Sequence, residues 1–269
     1  MGDILHLSPS IAATLLQRSP LRAWQAHSKG GGRQAEASDL MRRGKLIDRL
    51  LFQTGAEIVI VDADSWRTKD AQARREVAEN EGKIAVLRDK FDEAERIANN
   101  MRATLFDRGV NLNDAKAQHR VIWDSNGVAC KGFLDLLFVD TAAETATIYD
   151  LKIVENASPA DLRVDFRASL QHAAYVEAIE TLQPELAGRV KMRFILAEPD
   201  GDDLTIAEPD GVLRSLGQSR WRRAVATWKE CLAAGKFPGH PRDVATLSAK
   251  PWELDLELAA GISAQQVDF

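Results

Sequence analysis

Apolar residues recur along the chain with two different periods, and the change from one to the other divides it. From Ser8 to about Trp24, Ile11, Leu15 and Leu16 fall on one helical face, with Ser8 or Ser10 as the N-cap. Gly30-Gly31-Gly32 breaks that pattern and predicts a loop. A second helix is expected from about Ala37 to Phe52, carrying Leu40, Ile47, Leu50 and Leu51, followed by a short strand over 57–62. The stretch Trp66 to Asn80 is dense in charge, with Arg67, Lys69, Arg74 and Arg75. Ile84, Leu87, Phe91, Ala94, Ala98, Met101 and Leu105 then keep helical spacing and predict one long helix with a core-facing stripe.

After Gly109 the period falls to two. Residues 119–124, 128–139 and 146–154 alternate or run apolar, and Asn126-Gly127 marks a hairpin turn between the first two strands. Ser158-Pro159-Ala160-Asp161 predicts a helix start, with Ser as cap, Pro at the first helical position and an acid in the first turn. A strand over 189–197 and a helix from roughly 212 to 234 follow, the latter holding Leu213, Leu216, Val225 and Trp228 and stopped by Gly235. Pro238, Gly239, Pro241 and Pro251 predict an irregular tail. This order implies an α/β or α+β fold with one core. It is read as a single domain over 1–269, with a helical part to about 108, a sheet-and-helix part over about 109–240 and the tail 241–269.

Composition adds exclusions. The chain is 45% hydrophobic and 28% charged, ordinary for a soluble protein. No apolar run approaches the roughly 18 residues a bilayer span needs, and the opening residues do not read as a signal peptide. A cytoplasmic protein without a membrane partner is the expectation. Two cysteines, Cys130 and Cys231, cannot supply a disulfide framework or a four-cysteine metal site. A net charge of −5 argues against nonspecific coating of nucleic acid, but not against a site whose carboxylates are masked by divalent cations.

The chemistry concentrates where carboxylates interrupt apolar strands. Asp135 stands within CKGFLDLLFVD and Asp150 within ATIYDLKIV. Alternation places Phe133, Asp135 and Leu137 on one face, and Ile148, Asp150 and Lys152 on one face of the next strand. A hairpin centred on Ala142-Ala143 sets Asp135 across from Asp150, Phe133 across from Lys152 and Leu137 across from Ile148. Two opposed carboxylates among apolar neighbours repel and are costly to bury; a divalent cation relieves both penalties. Lys152 could then orient a water or stabilise charge on a phosphate. A plain ion pair between Lys152 and an aspartate is the competing reading.

The Asp, the Asp-x-Lys on the next strand and the Gln-x-x-x-Tyr of Gln171 and Tyr175 resemble the PD-(D/E)XK nuclease superfamily, and within it the RecE/exonuclease VIII-like branch of phage exonucleases. LSPSIAATLLQRSP, MRRGKLIDRLLFQTG, WRTKDAQARREVAENEGKIAVL and WRRAVATWKECLAAGKFPGH resemble flanking segments of that branch. The resemblance implies a restriction-endonuclease-like core, a mixed central sheet flanked by helices. It implies Asp135, Asp150 and the Leu151 carbonyl as ligands for Mg2+, with Mn2+ a possible substitute, and Lys152 assisting the water nucleophile. Gln171 and Tyr175, four apart on one helix face, would hold DNA or brace the site. Asp48 stands at the branch's histidine and is either a third ligand or, beside Arg49, a surface ion pair. A glutamate common on the first strand is replaced at Gln118 or His119, and an arginine by Phe133.

Function follows as two expectations. One is a Mg2+-dependent deoxyribonuclease, an exonuclease acting on linear double-stranded DNA in recombination or phage DNA processing; the resemblance adds a single-strand annealing recombinase as partner and a homo-oligomeric ring. The other is a catalytically weakened DNA-binding or assembly module of the same fold. A restriction-type endonuclease would differ by cutting closed circles. Candidate phosphate contacts are Arg42, Arg43, Lys45, Arg67, Lys69, Arg163 and Arg167.

Overall fold

The structure, a computed structural model, describes residues 5–32, 39–158, 166–200, 203–241, 243–244, 246–250, 252–253 and 255–256. Two short helices open it, α1 (Pro9–Gln17) and α2 (Pro20–Ala26). The single helix expected over 8–24 is broken because Ser19-Pro20 supplies a second cap: the Ser19 hydroxyl accepts from the Arg22 amide, as Ser8 does from Ile11. Helix α3 (Asp39–Phe52) follows, its expected start before Asp39 lying outside the described residues.

Strand β1 (Ile58–Val61), helix α4 (Lys69–Asn80), strand β2 (Ile84–Leu87) and helix α5 (Arg88–Asp107) form the next stretch. The charged segment is thus largely helical, capped by Thr68, with Ala71 and Ala78 buried. The long helix expected from Ile84 begins only at Arg88. Ile84-Ala85-Val86-Leu87 instead pairs in parallel with Ile58-Val59-Ile60-Val61, a non-local partner that overrides helical spacing.

The second half of the sequence forms β3 (Lys116–Ser125), β4 (Val128–Asp140), β5 (Thr145–Ile153), helix α6 (Phe166–Leu182), β6 (Val190–Ala197), β7 (Leu204–Ala207) and helix α7 (Gly211–Ala234). Strand order is β3-β4-β5-β6-β7; only β5 and β6 run parallel, joined by the α6 crossover. The fold is α+β, a mixed sheet with helices on both faces. One core unites α1, α6 and α7 with Val121, Trp123, Cys130, Ile148 and Phe194; the other unites α3 and α5 with Leu136, Tyr149 and Ile195. The α6–α7 contact is close enough that a Cβ at Gly217 would lie 2.2 Å from the Ser169 carbonyl oxygen. Gly235, in the left-handed conformation, ends α7 as expected. The α6 start expected at Pro159 lies outside the described residues, which resume at Phe166.

The β4–β5 hairpin keeps the expected register from Asp140↔Thr145 to Leu137↔Ile148 and Leu136↔Tyr149, turned by Asp140 Oδ1 accepting from the Ala142 and Ala143 amides. The ladder ends there. Asp135 and Asp150 are not a ladder pair, and Phe133 does not face Lys152, which pairs with Leu196 of β6. On the far side of the gap, Leu7 takes over from β5 as the neighbour of β4, bridging to Cys130. Asp135 therefore lies where β4 changes partners.

Its strand also changes sides. Cys130 and Leu134 belong to the α6-side core, whereas Leu136 belongs to the α5 side and Leu137 to the α6 side again. The same switch occurs on β3, between Ala117 and Val121, where Gln118 has φ +48°. The pair Gln118 and Asp135 is skipped in an otherwise regular ladder. Phe133, Asp135 and Leu137 consequently do not share one face, a correction that simple alternation could not foresee.

Contacts divide the chain into Met1–Pro238 and Gly239–Phe269. In the second unit, Lys250 stacks over Trp252. Among the described residues no helix is long and apolar enough to cross a membrane.

Candidate active site

Asp135 is held by the gap it occupies. Its Oδ2 accepts the Leu151 amide at 2.9 Å, so this side chain takes an amide that a continuing β4 backbone would have bonded. Its Oδ1 accepts Gln118 Nε2 at 3.1 Å, and the left-handed backbone at Gln118 lies at that contact.

Asp150 is 2% exposed on β5. Its Oδ1 accepts Gln171 Nε2 at 2.6 Å, and its Oδ2 forms an ion pair with Lys152 Nζ and has no further hydrogen-bond partner among the described residues. Lys152 Nζ also donates to Gln171 Oε1 at 3.0 Å. One amide therefore spans the aspartate and the lysine, and it fixes which end of Gln171 faces which charge. Asp150 and Lys152 share the α6-facing side of β5, as alternation requires. Tyr175, one turn further along α6, has its hydroxyl 3.5 Å from Gln171 Nε2. Its ring lies against β4 at Gly132, where a Cβ would meet Tyr175 Cε1 at 2.5 Å. A glycine inside a strand signals such a close approach.

Electrostatics make the cluster hungry for positive charge. Burial pushes Asp150 up to about 7 against the attraction of Lys152, and Asp135 and Asp48 push it further. Asp135 is raised by burial against its bonds from Leu151 and Gln118 and the charge of Lys152. Burial, then Asp135, raises Asp48 to about 6. Burial and the two aspartates raise Tyr175, which stays a neutral phenol. Asp48 thus feels Asp135 and Lys152 from α3, while Arg49 is turned to the Ala56 carbonyl, so the Asp48–Arg49 ion pair is not made. Three carboxylates face one lysine.

That surplus is the condition a divalent cation relieves, and hard oxygen donors suit magnesium or manganese. Among the described residues no three carboxylate, imidazole or thiol groups converge closely enough to form a protein-only cage. Asp135 and Asp150 are the side chains that could hold such an ion, with the Leu151 backbone beside them and the rest of the shell left to water, which magnesium commonly retains.

Other candidates scatter. Arg43, a candidate phosphate contact, pairs with Glu93 at 3.0 Å and donates to the Pro199 carbonyl. Arg67 lies exposed just before α4 and Lys69 exposed at its first residue, α4 packing on the small parallel sheet, and Arg42 and Lys45 are exposed on α3. Arg163 lies outside the described residues. Arg167 borders a recess of about 280 Å3 that Ser8, Ser10, Lys131, Gly132, Phe133, Gln171 and Tyr175 also line. Nothing local in the sequence marks Lys131, and Ser10 reads there only as a candidate N-cap.

No family model matches the chain, and no curated protein does. Among solved structures, a protein of Eubacterium rectale named "Putative exonuclease" aligns over 96% of this chain and 94% of its own, with TM-score 0.58 and 15% identity. That likeness shows a shared overall fold. SSO0001 aligns over 85% of this chain and 98% of its own with TM-score 0.32 and 13% identity, too distant to carry an argument.

Proposed function

We propose that this chain is a divalent-metal-dependent deoxyribonuclease of the PD-(D/E)XK type. The observation that carries the reading is the convergence of Asp135 and Asp150 where β4 and β5 part, with Lys152 and Gln171 joined to Asp150. A cation at Asp135, Asp150 and the Leu151 carbonyl would supply an activated water and neutralise charge on the phosphate. Lys152, one-third exposed, reaches toward solvent and would steady the attacking water or the charge that develops on phosphorus. Gln171 is a positioning residue: it holds Lys152 by its oxygen and Asp150 by its nitrogen. The finer reading is an exonuclease of the RecE-like branch on linear duplex DNA, with magnesium, a homo-oligomeric ring and an annealing partner.

End-labelled linear duplex and closed circular DNA, each incubated with magnesium and then with EDTA, test it. Magnesium-dependent loss of the linear substrate with the circle intact is expected. Nicking of the circle would indicate an endonuclease, and binding without cleavage the weakened module.

Asp48 enters as a modulator. Asp48→Ala should raise the magnesium concentration for half-maximal cleavage severalfold, since it removes negative charge from the site. A titration midpoint unchanged from wild type would leave Asp48 without a part in metal affinity.

A further inference from the structure

Beside the acidic cluster the sheet leaves one stretch uncovered. On β3, Val121 and Trp123 point into the α6-side core, as do Val128 and Cys130 on β4. Their alternating neighbours point to the other side: Arg120 and Ile122 on β3, Lys131 and Phe133 on β4. Phe133 is 52% exposed and Ile122 44% exposed, unusual for large apolar residues within paired strands. The register sets Arg120 directly across from Phe133 and Ile122 directly across from Lys131. The result is a checkerboard of two cations and two apolar side chains, ending two residues short of Asp135. No ion pair occupies Arg120, Lys131 or Arg167 among the described residues.

We propose that this face of the β3–β4 hairpin binds an unpaired DNA strand, with a base stacked on Phe133 and the flanking phosphates met by Arg120 and Lys131. The inference deepens the nuclease reading and rests on it for the place of the cleaved phosphate. Duplex DNA shows phosphates and groove edges but no open ring face along its length; an unpaired base does. Aromatic residues interleaved with cations are the pattern that takes such a strand. Two residues of strand separate Phe133 from Asp135, about 7 Å, on the order of one extended nucleotide; because β4 switches sides there, the strand would pass from the Phe133 face through the gap between β4 and β5 to reach Asp135. A second copy is the poorer occupant: pairing like faces across a two-fold sets Arg120 and Lys131 near their own images. Phe133 would then favour frayed or single-stranded ends.

Fluorescence anisotropy in EDTA, where nothing is cut, reads this directly. The probes are labelled dT20 and a closed dumbbell duplex with the same number of nucleotides. Phe133→Ala should weaken dT20 binding roughly tenfold, as loss of one stacked base does, and leave the dumbbell within about twofold; Phe133→Trp should restore it. Arg120→Ala with Lys131→Ala should lower the slope of log affinity against log salt for dT20 by roughly 1.4. Unchanged dT20 affinity in Phe133→Ala, equal loss on both probes, or no dT20 binding by wild type would overturn the proposal. So would a wild-type oligomer that Phe133→Ala disperses in sedimentation. Cleavage measured in parallel separates the two readings. Cleavage with Phe133-independent binding removes this surface and keeps the nuclease; Phe133-dependent binding without cleavage supports the surface and removes the nuclease.

Discussion

Asp150→Asn should lower the rate of magnesium-dependent DNA cleavage by on the order of a thousandfold or more, with duplex affinity in EDTA nearly unchanged. Asparagine keeps the shape and the oxygen that accepts Gln171 Nε2, so the variant changes charge with little change in packing. Asp135→Asn and Lys152→Ala should fall as far, since each removes one part of the same unit, and pairing any two should add little. Gln171→Ala belongs to a different class. It frees Lys152 and Asp150 to swing but removes neither, so a loss of about ten- to a hundredfold is expected, in kcat more than in KM. A wild-type rate for Asp150→Asn in single-turnover assays would end the nuclease assignment.

The site was legible where chemistry contradicted pattern. Asp135 and Asp150 stood out because they interrupt apolar strands, and a hairpin centred on Ala142-Ala143 sufficed to place Leu137 across from Ile148. Gln171 and Tyr175 share a helix face by spacing, and the structure brings both to Asp150 or its partner. What alternation could not show is the side switch at Gln118 and Asp135. No glycine marks the left-handed residue, and both strands switch together, leaving the pairing sum intact. Strand β2 was hidden for a related reason: Ile84 and Leu87 fit a helical stripe, and only β1, over twenty residues earlier, decides otherwise. The partners of Arg43, Glu93 and the Pro199 carbonyl, are likewise remote in sequence. Local pattern reports faces and spacing; it does not report which distant surface arrives to use them.

The same buried charge predicts how the protein melts. Asp150 has its folded pKa raised to about 7 from an unfolded value near 4. Its protonated form is therefore favoured by folding, and the stability this confers is complete below pH 4 and lost as pH rises through about 7. Asp48, raised to about 6, acts with the same sign. His172 acts oppositely: buried and lowered to about 4, it stabilises above its unfolded value and loses that contribution as pH falls. A pH scan of wild type alone thus mixes the two, whereas the difference between wild type and Asp150→Asn cancels His172. In EDTA the variant should melt above wild type at pH 8, and its advantage should shrink as pH falls below about 7 and vanish below about pH 4. Magnesium should then reverse the order at pH 8. A cation bound to the folded state alone adds about 2.7 kcal/mol at a hundred times its dissociation constant, and each kcal/mol moves the midpoint roughly 2–4 °C in a chain of this size. The variant, short of one carboxylate, should gain much less. A difference that does not change with pH would show that burial does not govern Asp150. A variant melting below wild type at pH 8 in EDTA would show that the ion pair with Lys152 outweighs burial. A wild-type midpoint indifferent to millimolar magnesium and manganese would remove the cation from this site, and with it the charge balance on which the proposed chemistry depends.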